Sequence, residues 1–368
     1  MRIVFIILLL LHAFIHLMGF FKAFELLKIE QLSQSISRPI GLLWLFTAIL
    51  FICSALAYLL KKDIWFLMAI TAVVLSQILI VLFWKDAKFG TLANLIILLV
   101  GITAYGHFKF KNKVKTEASE LLESALLENP SFITKKDIEH LPRIVQKWME
   151  HSRALGKPRT TSVRLRQKGE MKTKPDGNWM PFSAEQYFNT RNPSFVWITK
   201  VDAMPLIYMD GRDKLKKGQG EMLIKLLSWF PVVDEGKNEK INSGSMQRYL
   251  AEMCWFPSAA TENYVSWETI GKHSAKAIMT IDGKQVSGIF TFSEEGDFVS
   301  FETQRYFGGG EAAKLEIWFI EAKDYKVFNG IKIPHKCKVT WKLKEGDFNW
   351  LNLEITDLEY NHTELWQK

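Results

Sequence analysis

The feature that most limits this chain is a series of four apolar runs near its start, at residues 3–21, 40–60, 64–84 and 89–107. Each is close to the roughly 20 residues that an α-helix needs to cross the hydrocarbon core of a bilayer. The first run reads as an uncleaved helix rather than a signal peptide, because no small-x-small cleavage site follows it and His12 and His16 interrupt it. Trp65 and Trp84 sit at the two ends of the third run, where aromatic belts form. The connections Lys61-Lys62-Asp63 and Lys85-Asp86-Ala87-Lys88 leave room only for tight antiparallel hairpins. The expectation is a compact four-helix membrane domain over residues 1–108. The chain's mean hydropathy of +0.01 conceals this, since it averages an apolar first third with a polar remainder.

Lysine and arginine counts in the short flanks predict sidedness. Arg2, Lys61, Lys62, Lys109, Lys111, Lys113 and Lys115 lie on the side of the N-terminus, and Lys22, Lys28, Arg38, Lys85 and Lys88 on the other, seven against five. This places both termini, and the C-terminal domain, in the cytoplasm. The net charge of +8 has no basic run interleaved with aromatics, so attraction to anionic lipid headgroups accounts for it and no nucleic-acid partner is assigned.

Polar side chains inside an apolar bundle are functional candidates, because burying them unpaired is costly. His12 and His16 lie one turn apart, and helical rise puts His16, Thr47, Gln77 and Asn94 in the same half of the bundle. They serve either as interhelical hydrogen-bonding groups or in proton handling or cofactor binding. A haem site would need opposed axial ligands from facing helices, yet no histidine occurs in the second or third run, and a metal site would need a third ligand, yet no carboxylate lies inside the runs, so no cofactor and no metal is assigned.

Residues 109–158 form a helical neck: a basic exit, a helix over 117–128 broken by Asn129-Pro130, and a second helix capped by Thr134 and Asp137. Pro142 inside that second pattern implies a kink or a later start. From residue 159 to 368 the period changes from 3.6 to 2. Candidate strands run over 162–171, 179–189, 194–202, 206–214 and 220–227, then 264–269, 274–281, 285–292, 298–306, 313–322, 331–343 and 347–358. Turn sequences such as Asp282-Gly283 and Asn329-Gly330 separate them. About a dozen strands at hairpin spacing predict one large, curved antiparallel sheet. The fold class is therefore a four-helix membrane bundle followed by an α+β domain, a half-barrel with covering helices.

One helix interrupts the strands, at residues 245–257. Met246, Tyr249, Leu250, Met253 and Cys254 make an apolar stripe, Ser243 or Ser245 supplies the N-cap, and Pro257 ends it. Arg248, Glu252 and Trp255 fall on its other flank, facing a ligand or a strand. The domain is also rich in aromatics, among them Phe195 and Trp197 on one strand face. These fill a packed interior or line a greasy concavity that binds an apolar ligand.

Catalytic signatures are missing: there is no Gly-x-Ser-x-Gly elbow, no dinucleotide loop, and the three cysteines, Cys53, Cys254 and Cys337, have no metal spacing. No catalytic residue is assigned. What remains is a charged cluster, Glu185, Arg212, Asp213, Arg248, Glu252 and Arg305. It is a structural network at a cavity mouth, a clamp for a headgroup or carboxylate through Arg212 or Arg248, or an acid/base site at Glu252. Arg212, Arg248, Glu252, Trp255, Trp197 and Arg305 are the candidate ligand-binding residues, and His12, His16, Gln77 and Asn94 the intramembrane polar ones.

Several pieces of the chain resemble an uncharacterised bacterial membrane family. They are His-Ala-Phe-Ile-His-Leu-Met-Gly-Phe at 12–20, Ala-Glu-Gln-Tyr-Phe at 184–188, Phe-Val-Trp at 195–197, Gly-Arg-Asp at 211–213, Arg-Tyr-Leu-Ala-Glu at 248–252, Trp-Phe-Pro at 255–257 and Gly-Ile-Lys-Ile-Pro at 330–334. The resemblance implies the architecture, in a bacterial inner membrane, and no activity. More loosely, a curved sheet with a covering helix is similar in topology to the lipoprotein-carrier fold (LolA/LolB-like) of bacterial envelopes. Together these suggest a multi-pass membrane protein whose β domain binds a lipid or other hydrophobic ligand at the membrane surface. An enzyme acting on a membrane-embedded substrate, or a structural or sensory module with a packed aromatic core, are the alternatives.

Overall fold

The computed structural model describes residues 2–126, 129 and 131–367. It divides into two compact units, Met1–Lys111 and Asn112–Lys368.

Among the described residues four helices are long and apolar enough to cross a membrane: α1 (Arg2–Ala23), α2 (Arg38–Leu59) and α3 (Trp65–Leu82) in the first unit, and α5 (Gly90–Glu123), which begins there and ends in the second. The single turn α4 (Trp84–Ala87) links the last two. Their arrangement is antiparallel, as the short connections require. Arg2 at the start of α1 donates to the carbonyls of Tyr58 and Leu59 at the end of α2 (2.7 and 2.9 Å), where a cation suits the helix dipole. At the other end, Asp86 of α4 accepts from Ser33 in the α1–α2 connection. Gly19 of α1 permits a close approach to α2, because a Cβ there would sit 2.2 Å from the Trp44 indole.

The fourth long helix does not stop at the basic segment after residue 108. Phe110, Val114, Ala118, Leu121 and Leu122 are all buried and continue one stripe, so α5 runs on through the expected break to Glu123. The 108/109 boundary thus falls inside a helix. Glu128 and Pro130, on which the expected end of the neck helix rests, lie outside the described residues. Pro142 is the N-cap of α6 (Arg143–His151), so the pattern around it reflects a later start and not a kink.

The second unit is built on one antiparallel sheet of 13 strands in the order β6-β5-β4-β3-β2-β1-β13-β12-β11-β10-β9-β8-β7. From β1 (Ser162–Met171) the chain meanders outward through β2 (Met180–Asn189), β3 (Ser194–Met204), β4 (Ile207–Lys216) and β5 (Gln219–Leu226) to β6 (Phe230–Gly236). It then crosses through α7 (Glu239–Glu252) and two 3-10 turns to the opposite edge, β7 (Val265–Thr269). The return passes through β8 (Ser274–Ile281), β9 (Lys284–Phe292), β10 (Phe298–Phe307), β11 (Lys314–Phe328) and β12 (Ile331–Leu343) to β13 (Gly346–Tyr360), which pairs with β1. The sheet does not close, so it is a half-barrel, and α7 packs against β4 and β5 as well as β9 and β10.

Three expectations change here. Strand β6 was not legible, and α7 begins at Glu239, with the Asn238 side chain accepting from the Ile241 amide (2.9 Å) as N-cap in place of Ser243 or Ser245. Nor does Pro257 end helical structure; it opens a further 3-10 turn, Pro257–Thr261. The helix meets the sheet through Met246, Tyr249, Leu250 and Met253, fully buried with Phe188, Phe195 and Phe256.

Candidate functional site

Paired residues on neighbouring strands share a face, so the register assigns side chains to the two faces of the sheet. One cross-strand row is Leu215, Phe195, Phe188 and Val163, which packs against α7 and marks the inner face. Two residues along each strand lies the row Met222, Asp213, Trp197, Gln186 and Leu165. Two steps further again comes Leu226, Met209, Val201, Phe182, Gly169 and Leu353. Beside it run Met180, Met171, Leu351 and Val339.

The middle row carries a buried polar network with α7. Arg248 donates through Nε to Glu252 Oε1 (2.8 Å) and through Nη1 to Asp213 Oδ2 (2.7 Å). Its guanidinium lies over the rings of Trp197 (4.6 Å) and Phe195 (5.1 Å). Gln186 Nε2 donates to the second Glu252 oxygen at 2.7 Å, and Trp197 Nε1 donates to Gln167 Oε1 at 2.9 Å. Burial works against the Arg248 cation, but the Glu252 and Asp213 carboxylates outweigh it and hold its pKa above the ordinary value. Burial pushes the Glu252 carboxyl up against the pull of Arg248 and Gln186. With each oxygen engaged, Glu252 acts as a strut between helix and sheet.

The candidate residues do not all gather there. Arg212 and Glu185 share the opposite, outer face, since both pair with Ile198. Arg212 is ion-paired with Glu117 (3.3 Å) and Glu221 (3.1 Å), which fastens the end of α5 to β4 and β5. Trp255 is buried and donates Nε1–H to the Pro334 carbonyl at 3.1 Å. Arg305 of β10 reaches the inner face from the other limb of the sheet and stacks on Trp318 (4.4 Å) and Trp341 (6.0 Å). Cys254 and Cys337 are free and buried; burial lifts the first thiol well up and the second to about 12, so neither is poised as a thiolate.

Beyond the network, the inner face is apolar and only half covered. Phe182, Ala184 and Val201 are buried, with Met171, Met180, Trp197, Met209, Leu351 and Leu353 partly buried against them. This trough was missed from sequence, where the aromatics drew attention and the methionines did not. Its end is rimmed by hairpin tips that expose Met204 (60%), Leu206 (68%), Trp229 (41%) and Phe230 (58%).

In the helical unit, His12 Nε2 bonds Asn94 Oδ1 (2.9 Å) and Ser76 Oγ (3.2 Å), and Asn94 Nδ2 donates to Gln77 Oε1 (3.0 Å). His16 Nδ1 bonds the His12 carbonyl at 2.8 Å, while its Nε2 is buried without a partner among the described residues. Thr47 bonds its own helix, to the Leu43 carbonyl. Among the described residues no group of His, Cys, Asp and Glu could hold a metal ion.

Four helices able to span a membrane, followed by an open antiparallel half-barrel wrapped on a helix, define the class of protein. The particular family follows from the sequence: the chain belongs to the family of unknown function DUF6920, whose model matches residues 139–360. Among solved structures it is similar to a LolA superfamily protein from Nitrosomonas europaea, at 10% identity and a TM-score of 0.33 over 59% of this chain and 91% of that one. A structure described as an outer membrane lipoprotein-sorting protein domain, from Vibrio parahaemolyticus, is similar at 9% identity and a TM-score of 0.32, over 59% and 90%. No curated protein matches the chain.

Proposed function

We propose that this is a multi-pass membrane protein whose β domain binds a lipid or another hydrophobic molecule in the inner-face trough. The observation that carries the reading is the patch of partly buried apolar side chains, Met171, Met180, Met209, Leu351 and Leu353, packed around Phe182, Ala184 and Val201 on the inner face. Adaptable methionine surfaces accept irregular apolar partners. The exposed apolar rim at Met204, Leu206, Trp229 and Phe230 suits a lipid surface better than water. The lower half of the interior, by contrast, is filled by Tyr249, Phe256 and Phe188 and leaves the ligand only the upper rows.

The test uses the full chain in a neutral detergent and a fluorescent fatty acid. Met209→Glu with Leu353→Glu places two charges in the trough while leaving the helical unit as it is. Binding should weaken by about tenfold or more, since an unpaired carboxylate resists burial under an acyl chain. Equal binding by both proteins would assign the probe to the helices or the micelle and end the proposal.

A further inference from the structure

Gly244, Arg248 and Glu252 recur at i, i+4 and i+8, so they form one stripe of α7. Arg248 and Glu252 are committed to each other, to Asp213 and to Gln186. Arg305 is different. Its guanidinium lies close to Gly244, where a Cβ would come within 3.2 Å of Nε, and over the Trp318 ring at 4.4 Å. The missing side chain at Gly244 is what makes room for it. Among the described residues the Arg305 side chain makes no ion pair and no hydrogen bond, and its guanidinium lies against the Trp318 and Trp341 rings. The neighbouring Trp318 Nε1–H is likewise buried and unpartnered.

A guanidinium carries five N–H donors in a planar fork that matches a carboxylate or phosphate. Holding such a group partly buried with no acceptor is unfavourable, and an anion would relieve it. Burial pulls the Arg305 pKa down to about 10, with Arg248 adding to the effect and Asp213 opposing it. The nearby carboxylates therefore do not satisfy it. Trp197 touches both the Arg248 guanidinium and the apolar trough, so polar stripe and greasy surface are contiguous.

We infer that Arg305 receives the anionic head, a carboxylate or a phosphate, of an amphiphile whose tail lies in the trough. The inference rests on the hydrophobic-ligand reading above and narrows it from apolar molecules in general to anionic amphiphiles. Trp318 Nε1–H is placed beside Arg305 to donate to the same head.

The full chain in neutral detergent is titrated with palmitate, with hexadecanol and with inorganic phosphate. A charge-assisted hydrogen bond contributes about 1.5–3 kcal/mol, so palmitate should bind roughly ten- to a hundredfold more tightly than the alcohol. Arg305→Gln should bring palmitate down to the level of hexadecanol, and Arg305→Lys, which keeps the charge, should retain part of the preference. Equal affinities for acid and alcohol in the unaltered protein, or a preference that survives Arg305→Gln, overturns the inference and leaves the hydrophobic-ligand reading standing. If neither amphiphile binds better than to the Met209→Glu, Leu353→Glu protein, that reading fails and the inference with it. Phosphate binding that depends on Arg305 while palmitate does not bind would make the site one for a free anion, which also overturns it. Should Arg305→Gln fail to fold, the acid–alcohol contrast and Arg305→Lys still decide.

Discussion

Arg248→Met should be among the most damaging single changes in the β domain. The Arg248 side chain is 14% exposed and its two carboxylate partners, Asp213 and Glu252, are 7% and 8% exposed. Removing the cation strands two carboxylates in a half-dry site, and breaking such a pair from one side costs about 3–5 kcal/mol. For a domain of this size each kcal/mol moves the midpoint by about 2–4 °C, so the thermal midpoint should fall by roughly 6–20 °C. Near-UV circular dichroism of the full chain in detergent follows the loss, because Trp197 lies directly under Arg248. The deficit should shrink as the pH is lowered. Without the arginine, Glu252 has a folded pKa above its unfolded one, so the variant is relatively stable below the ordinary glutamate value and loses stability as pH rises through the folded pKa. Combining Arg248→Met with Asp213→Asn and Glu252→Gln removes all three charges and should recover most of the loss, since the Gln186 amide keeps an oxygen to donate to. A midpoint drop worth under ~1 kcal/mol, or a triple variant no better than the single one, would refute the account of this network as a paired, buried strut.

Two further outcomes follow from the helical unit. His12→Leu removes the interhelical bonds to Asn94 and Ser76, worth about 0.6–1.7 kcal/mol in a membrane bundle, whereas His16→Phe keeps the ring against Trp44 and Phe51 and removes only a bond within its own helix, from Nδ1 to the His12 carbonyl, along with Nε2, which has no partner among the described residues. Detergent unfolding should therefore rank His12→Leu as the more destabilising, and the reverse order would mean that His16 Nε2 has a partner of its own in the bilayer. The basic count, seven lysines and arginines against five, predicts a cytoplasmic β domain; fusing green fluorescent protein after Lys368 should give fluorescent cells and fusing alkaline phosphatase inactive ones, and the opposite pair of results discards that count.

What the sequence reveals depends on how local the determinant is. Strands β1, β8 and β12 are readable to the residue because alternation and flanking turns such as Asp282-Gly283 and Asn329-Gly330 fix them within a short window. Strand β6 escapes because an edge strand needs only one neighbour, and its Pro231, Asp234, Glu235 and Gly236 are tolerated there while reading as loop. The reach of α5 was legible in principle, since Phe110, Val114 and Ala118 keep the period, but the lysines between them read as an exit from the membrane. The site is harder. Arg212 and Asp213 are adjacent in sequence, and which of them faces α7 is a parity that only the register across β2, β3 and β4 decides. The trough joins Met209, Val201, Phe182 and Leu353, residues from four strands that no window contains together. Arg305 is the extreme case: what distinguishes it from the paired arginines is the absence of a side chain at Gly244, sixty-one positions earlier, which leaves the guanidinium room on the helix and gives it no acceptor there. A functional arginine of this kind is defined by what its neighbours lack, so composition, spacing and motif all pass over it, and only the packed structure separates it from the arginines that hold the domain together.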